Sequence, residues 1–177
     1  MEYINRNPII YVLSGKAKSG KNQVANIISD YYKDKKRIQL SFAHYLKEYV
    51  KTITSWDGTE ETKPRDLLQS LGIDLIKSKI NSTLLIDRLC DDIRVYSYFY
   101  DIIIVTDARL IDEVEALKNN FICTTIRIIN NRANNLTLNQ QNHITETSLD
   151  NYNKFDFVVE NNDVLKQQII NILEVRK

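Results

Sequence analysis

The stretch of residues 9–22, IIYVLSGKAKSGKN, constrains the fold of this chain more than any other. An apolar run ends at Gly15, and Gly20 and Lys21 follow at the G-x-x-x-x-G-K spacing of a phosphate-binding loop. The glycines permit a tight turn whose backbone N–H groups point inward, and the lysine can reach the β- and γ-phosphates of a nucleotide. The preceding run is typical of a buried strand, and the residues after the loop repeat at helical spacing. The sequence therefore predicts a strand, a phosphate loop and a helix in succession.

Asn22 occupies the place where this motif usually has a hydroxyl that coordinates Mg²⁺. Its amide oxygen is able to ligate the metal directly or to hold one of its waters. The side chains of Lys16 and Lys18 occupy variable loop positions and are expected to face solvent. We predict that the phosphates of a nucleotide lie against the loop residues Gly15, Lys18, Ser19, Gly20, Lys21 and Asn22.

The chain has 177 residues, of which 43% are hydrophobic, and this suits a single globular domain over residues 1–177. Its 24 lysines and arginines balance 23 acidic residues, so the net charge of +1 provides no global field for a nucleic-acid polymer or an anionic membrane. Cys90 and Cys123 lack metal or redox spacing and are expected to be buried free thiols. The sequence has no signal-like start and no apolar run long enough to span a bilayer, so we expect a soluble, cytoplasmic protein.

Strand-like and helix-like periodicities alternate along the chain, which indicates an α/β fold. We predict about five strands in one parallel sheet, with helices on both faces and ligands at the carboxyl ends of the strands. The predicted strands lie near residues 9–13, 37–42, 101–106, 122–129 and 155–159. The predicted helices span about 21–33, 43–53, a segment beginning at Pro64, 81–98, a segment around Val114 and Leu117, and 164–175.

Two polar stretches interrupt these elements. Residues 54–63 are expected to form a loop. Residues 130–142 are rich in Asn, Gln and Thr, and Arg132 is their only charge. Such a segment is either a plain surface loop or, in a nucleotide enzyme of this size, a mobile lid, which is the interpretation we favour.

Asp107 follows a buried strand, which places its carboxylate at the edge where the phosphate loop opens. It can hold Mg²⁺ or a metal-bound water, or contact a second substrate; alternatively, it caps the next helix. Arg109 projects near the same edge and is suited to clamp an anionic substrate, with a surface salt bridge as the alternative.

Arg65 lies at a helix start and Gln69 follows one turn later, so an anion-binding guanidinium and a base-reading amide can share one face. The alternative is that both simply belong to the polar face of an amphipathic helix.

His143 and Glu146 follow the proposed lid, and by default we take them as solvated structural residues. Glu146, assisted by Thr145, can also cap the helix that begins there.

Several strings of the sequence resemble the deoxynucleoside monophosphate kinase family best known from bacteriophages. They appear in the family's order between about residues 9 and 161: SGKAKSGKNQVAN, SFAHYLKEYV, KPRDLLQSLGIDL, VTDARLIDEVEALK and HITETSLDNYNKFDFVVEN. Within them the family's motifs match Ala43, Leu46 and Lys47; Arg65 through Gly72; Asp107, Arg109, Glu113, Val114 and Glu115; and His143, Thr145 and Glu146.

The resemblance implies a three-layer P-loop kinase fold with a small lid at about 130–142 and an acceptor-binding helical region at about 43–98. It implies Mg²⁺-assisted transfer of the γ-phosphoryl group of ATP to a deoxynucleoside 5′-monophosphate. Asn22 and Asp107 would organise the metal, and Lys21, Arg109 and Arg132 would be catalytic. The implied substrate-binding residues are Lys47, Arg65, Gln69, Asp107, Arg109 and Glu146.

The same resemblance implies small-molecule partners, with a homodimer kept as an alternative to a monomer, and the host cytoplasm as location if the source is viral. Two other functions stay open. One is a related small-molecule kinase of this fold, of the phosphomevalonate or dephospho-coenzyme-A type, although the Arg65 and Gln69 helix favours an acceptor that carries a base. The other is a nucleotide-binding switch that transfers nothing. It needs a loop ordered by the γ-phosphate and a residue that orients the attacking water; no segment of the sequence specifies either, and the polar loop 54–63 is left open as the first.

Overall fold

The computed structural model describes residues 2–130 and 136–175, and its centre is a five-stranded parallel sheet. The strand order is β2-β3-β1-β4-β5. This confirms the predicted α/β class and strand number. The strands are β1 (Ile9–Ser14), β2 (Arg37–Leu40), β3 (Ile102–Ala108), β4 (Cys123–Ile129) and β5 (Phe157–Glu160).

The helices predicted with both bounds, at about 21–33, 43–53, 81–98 and 164–175, lie within a few residues of those bounds, whereas a short helix at 138–142 lies in the stretch expected to be a loop or lid. They are α1 (Lys21–Tyr31), α2 (Ala43–Ile53), α3 (Arg65–Ser70), α4 (Leu84–Tyr96), α5 (Ile111–Asn120), α6 (Leu138–Asn142), α7 (Ile144–Thr147) and α8 (Leu165–Val175). The sequence did not predict that α3 continues as a π-helical segment, Leu71–Ile80. The wider turn is seen where Asn81 N donates to Ile76 O at 2.9 Å. Apolar spacing alone does not separate such a segment from an α-helix.

The sheet is covered on both faces because alternate side chains of its strands point to opposite sides. From β1, Tyr11 and Leu13 pack in a core with α1 and α8. Ile10 and Val12 pack in a second core with α4 and α5. The molecule therefore has the three layers expected from the alternating periodicities.

A third, smaller core holds together the helices above the carboxyl ends of the strands. It contains Leu46 and Val50 from α2, Leu68 from α3 and Ile76 from the π-helical segment. Trp56 of the 54–63 loop packs against it. This group of helices faces the phosphate loop across a cavity.

The two cysteines and the lengths of the helices were also predicted from the sequence. Cys90 and Cys123 are both free, but only Cys90 is fully buried. Within residues 2–130 and 136–175, no helix has the length and apolarity needed to cross a membrane.

Candidate active site

The phosphate loop joins β1 to α1 and requires both of its glycines. Gly20 has φ 103°, and a Cβ there would overlap the side-chain amide of Asn161. A Cβ at Gly15 would overlap Ser19 Oγ and lie 2.7 Å from Ile128 O. Any other residue at these positions would push the loop away from the strands behind it, so the predicted tight turn has a steric basis.

Lys21 is folded under this loop and is only 8% exposed. Its Nζ donates to Gly15 O at 2.6 Å and to Lys16 O at 2.8 Å. Burial lowers the pKa of the Lys21 ammonium to about 7, and the nearby Arg109 guanidinium adds to this, whereas Glu146 opposes it. The lysine thus lies inside the loop, as the motif predicted. Its protonation near neutral pH depends on its burial and on the charges of Arg109 and Glu146.

Two asparagines that the sequence analysis missed support the loop from behind. Asn130, after β4, donates from Nδ2 to Lys18 O at 3.2 Å. Asn161, after β5, donates from Nδ2 to Ser19 O at 2.9 Å. Ser19 Oγ is buried and has no hydrogen-bond partner among the residues that the structure describes. Lys16 points outward, as predicted, and pairs with Asp150 at 2.8 Å.

Glu146 is buried against the phosphate loop, and this corrects the default interpretation of a solvated residue. Its Oε2 accepts a hydrogen bond from Ala17 N at 2.8 Å, and its Oε1 pairs with Arg109 Nη1. Glu146 does not cap α7 either; the His143 side chain does, accepting from Thr145 N at 3.3 Å. The reason is tertiary: α7 lies between the loop and the end of β3, so the carboxylate finds partners in both.

Arg109 follows β3 and lines the cavity, and its ion pair with the buried Glu146 is not the surface salt bridge that was the alternative. Its backbone N–H donates to Glu113 Oε2 at 2.7 Å, and Leu110 N donates to the same oxygen at 3.0 Å. Burial raises the pKa of the Glu113 carboxyl to about 8, although these two hydrogen bonds oppose the shift. Arg109 is thus held at both its backbone and its guanidinium.

Asp107 caps a helix, but a different one from the helix expected. Its Oδ1 accepts from Phe42 N at 2.8 Å and its Oδ2 from Ala43 N at 3.1 Å, so it binds the start of α2 rather than that of α5. The pairing of β2 with β3 explains this, because α2 begins just beyond the neighbouring strand. Each carboxylate oxygen retains a further acceptor site.

Asn22 is exposed in the first turn of α1, and its side chain makes no hydrogen bond within the described ranges.

A cavity of about 630 Å³ extends from the phosphate loop to the helices of the third core. Three neighbouring cations, Lys47, Lys63 and Arg65, line it away from the residues of the loop itself and make this part of its wall positively charged. Lys63 Nζ donates to Glu60 Oε2 at 2.8 Å, and Arg65 Nη2 pairs with Glu60 Oε1. Burial lowers the pKa of the Lys63 ammonium, and nearby Lys47 and Arg65 add to the effect, whereas Glu60 opposes it. Sequence analysis missed Lys63 because a loop residue carries no periodic signal.

Gln69 also lines the cavity, and its Nε2 lies 3.4 Å from Thr145 Oγ1 of α7. Arg65 and Gln69 therefore face the cavity together instead of forming a fully solvated helix face. Arg132, the predicted lid cation, lies outside the described residues. The described end of that segment contacts α3, where Gln140 Nε2 donates to Asp66 Oδ1 at 2.7 Å.

The five-stranded parallel sheet and the phosphate loop define the P-loop fold, and several solved structures of similar fold are those of kinases. The shikimate kinase of Aquifex aeolicus is 15% identical, with a TM-score of 0.52 over 95% of this chain and 98% of that one. The Mycobacterium tuberculosis APS kinase in complex with AMPPNP and APS is 11% identical, with a TM-score of 0.54 over 96% and 98%. A putative kinase from Chloroflexus aurantiacus is 12% identical, with a TM-score of 0.51 over 97% and 98%.

The sequence itself gives the family. The profile for deoxynucleotide monophosphate kinase matches residues 43–172, and the chain belongs to this family. No curated protein matches the chain. Because the match begins after the phosphate loop, the loop is an independent sign of the same class. The protein is therefore a nucleotide kinase.

Proposed function

We propose that the protein transfers the γ-phosphoryl group of ATP to a deoxynucleoside 5′-monophosphate and forms the diphosphate. The observation that carries this proposal is that one cavity is lined both by the phosphate loop and by a group of cations, Lys47, Lys63 and Arg65. Two phosphate-bearing molecules can enter such a cavity with their phosphates facing each other. The family match supports the acceptor, and the AMPPNP complex of the APS kinase supports an adenine nucleotide as donor.

On the donor side, the loop from Gly15 to Lys21 would hold the triphosphate. Lys21 Nζ now donates to two loop carbonyls and can exchange these for phosphate oxygens. Negative charge spreads over the transferred group in the transition state, so cations on both sides lower the barrier. Lys21 and Arg109, which both line the cavity, would take this role together with Arg132.

The residues near the loop also fit a magnesium ion. Mg²⁺ in kinases is held by one or two protein oxygens together with substrate phosphates and waters. Asn22 offers an uncommitted amide oxygen, and Asp107 retains acceptor capacity on both carboxylate oxygens. A bound Mg²⁺ would neutralise charge on the donor phosphates. Among the described residues no three acidic, histidine or cysteine side chains form a cluster that could hold a metal ion.

On the acceptor side, Lys47 and Arg65 would bind the monophosphate and Gln69 would contact its base. The wall around them includes the apolar side chains of Leu46, Leu68 and Ile76, which can cover a planar base. No general base is needed, because a phosphate monoester is already an anionic nucleophile at neutral pH. Catalysis would then depend on positioning and on electrostatic stabilisation.

A coupled assay of ADP release tests the proposal. ATP and Mg²⁺ are supplied with each of the four deoxynucleoside monophosphates, the matching ribonucleotides, phosphomevalonate or dephospho-coenzyme A. We expect ADP release that requires a deoxynucleoside monophosphate and decreases at least about 10²-fold in Lys21→Ala. Lys33→Ala, on an exposed lysine just beyond α1, is the control and should retain activity. Absence of turnover with every monophosphate would contradict the proposal, and acceptor-independent hydrolysis would favour the switch.

A further inference from the structure

We propose that Glu60 is a built-in competitor of the acceptor's phosphate group. Its carboxylate occupies the anion site between Lys63 and Arg65 and must leave that site when a monophosphate binds. The inference rests on the proposed function, because it takes the monophosphate as the ligand of this end of the cavity.

The contacts of Glu60 resemble those of a phosphate. One carboxylate oxygen pairs with the Arg65 guanidinium, and the other accepts a hydrogen bond from Lys63 Nζ at 2.8 Å. Two oxygens of a phosphate group can accept from the same two donors, since both anions suit charge-assisted hydrogen bonds. All three side chains line the cavity.

Glu60 satisfies this site only in part. Lys47 lines the same cavity and makes no ion pair or hydrogen bond within residues 2–130 and 136–175. Glu60 pairs only with Lys63 and Arg65, and Lys47 adds a third positive charge close enough to Lys63 to lower the pKa of its ammonium, so three cations share a single carboxylate of charge −1. A phosphate monoester carries a charge approaching −2 at neutral pH and has a third oxygen for Lys47. The electrostatic balance therefore favours exchange of Glu60 for the acceptor.

Exposure and loop structure indicate that Glu60 can move. Its side chain is 62% exposed, whereas those of Lys63 and Arg65 are 20% and 26% exposed. The turn that contains Glu60 is held by Asp57, whose carboxylate accepts hydrogen bonds from Thr59 N at 2.9 Å and from the hydroxyl of Thr62 at 2.7 Å. These contacts remain within the loop, so the carboxylate can leave without breaking them. The two paired cations are therefore the more buried part of the site, and the carboxylate is the more exposed and replaceable part.

Calorimetric titration without ATP tests this competition, with inorganic phosphate and the deoxynucleoside monophosphates as probes. Glu60→Gln keeps the size of the side chain and removes its charge. We expect it to bind the probes about two- to five-fold more tightly than the wild type. The gain is modest because the Glu60 carboxylate of the two ion pairs is largely exposed to solvent. The gain should shrink at high salt. Glu61→Gln changes the neighbouring, exposed carboxylate and should bind like the wild type.

A double-variant cycle locates the effect, since inorganic phosphate can also enter the phosphate loop. In a Lys63→Met background, Glu60→Gln should give a smaller gain, because the site in which Glu60 competes has lost one of its two paired cations and keeps only Arg65. Equal or weaker binding by Glu60→Gln, or a gain that is just as large without Lys63, would overturn the inference. If Glu60→Gln binds phosphate more tightly but no monophosphate is phosphorylated, the competitor stands and the proposed function fails. If monophosphates are phosphorylated but Glu60→Gln binds the probes no more tightly than the wild type, the proposed function stands and the competitor role of Glu60 fails.

Discussion

The carboxylate of Glu146 pairs with the guanidinium of Arg109, and its second oxygen accepts the backbone N–H of Ala17 at 2.8 Å. One buried side chain thereby connects the phosphate loop to the arginine that lines the cavity beside it. Both carboxylate oxygens have protein partners, so Glu146 serves to position the phosphate loop and Arg109. This relationship gives the first prediction.

Glu146→Ala should lower both stability and activity. It leaves the Ala17 N–H and the half-buried Arg109 guanidinium without their acceptor, and such a loss costs about 1–3 kcal/mol. Urea unfolding measures the stability. The value of kcat with saturating substrates shows whether catalysis suffers when Arg109 loses this support. Glu48→Gln removes an exposed ion pair with Lys51 and is the control. Wild-type stability and kcat in Glu146→Ala would show that Arg109 needs no such support.

Proton uptake should accompany binding of ATP above neutral pH. The pKa of Lys21 is about 7 in the free protein, so at pH 8 its side chain is mostly the neutral amine, whereas contact with the triphosphate favours the charged ammonium form. Affinity for ATP should therefore fall as pH rises above about 7, by up to about tenfold per unit. Titration calorimetry in buffers of different ionisation enthalpy measures the uptake. Lys21→Met should abolish it, and uptake that persists in this variant would assign the proton to another group.

The same lowered pKa sets the sign of a stability effect. Between pH 7 and the ordinary lysine value of 10.5, the unfolded chain binds the Lys21 proton and the folded chain does not. The contribution of Lys21 to unfolding free energy should therefore increase as pH rises through this window. The difference between wild type and Lys21→Met in urea unfolding at pH 7 and pH 9 isolates this contribution. A difference that does not change with pH would contradict a titrating Lys21.

Arg65→Ala should impair use of the monophosphate far more than use of ATP. A hydrogen bond to a charged group contributes about 1.5–3 kcal/mol, which corresponds to an increase in KM of about 10- to 100-fold. Steady-state kinetics with each substrate varied in turn give the two KM values. Arg88→Ala is the control, since Arg88 is exposed and stacks over Tyr45 outside the cavity. An effect confined to the KM of ATP would move Arg65 to the donor side.

The two metal candidates are separable because only Asp107 also caps a helix. Asn22→Ala should raise the Mg²⁺ concentration for half-maximal activity and leave urea unfolding unchanged, since its side chain makes no hydrogen bond in the described structure. Asp107→Asn should lower stability by about 1 kcal/mol, because one carboxylate oxygen that accepts a backbone N–H of α2 is lost. An unchanged Mg²⁺ titration in Asn22→Ala would leave Asp107 as the better ligand.

Local spacing was enough to predict the framework. The G-x-x-x-x-G-K spacing gave the loop and the inward Lys21, and runs of branched apolar residues gave β1 and β3 nearly to the residue. These features depend on neighbours along the chain, because strand and helix periodicities follow from backbone geometry. Arg65 and Gln69 were likewise placed on one face from their separation of four residues.

The partners of the site residues were decided by tertiary structure. Glu60 meets Lys63 and Arg65 through a turn in a loop without periodicity, and Asp107 caps α2 because β2 and β3 are neighbours. Glu146 reaches Ala17 across 129 residues of sequence. Such contacts depend on how separate elements pack, which spacing within any one element does not encode. The sequence by itself therefore determined which chemical groups the protein carries at the edge of its sheet, and the packing of the layers decided which of them touch.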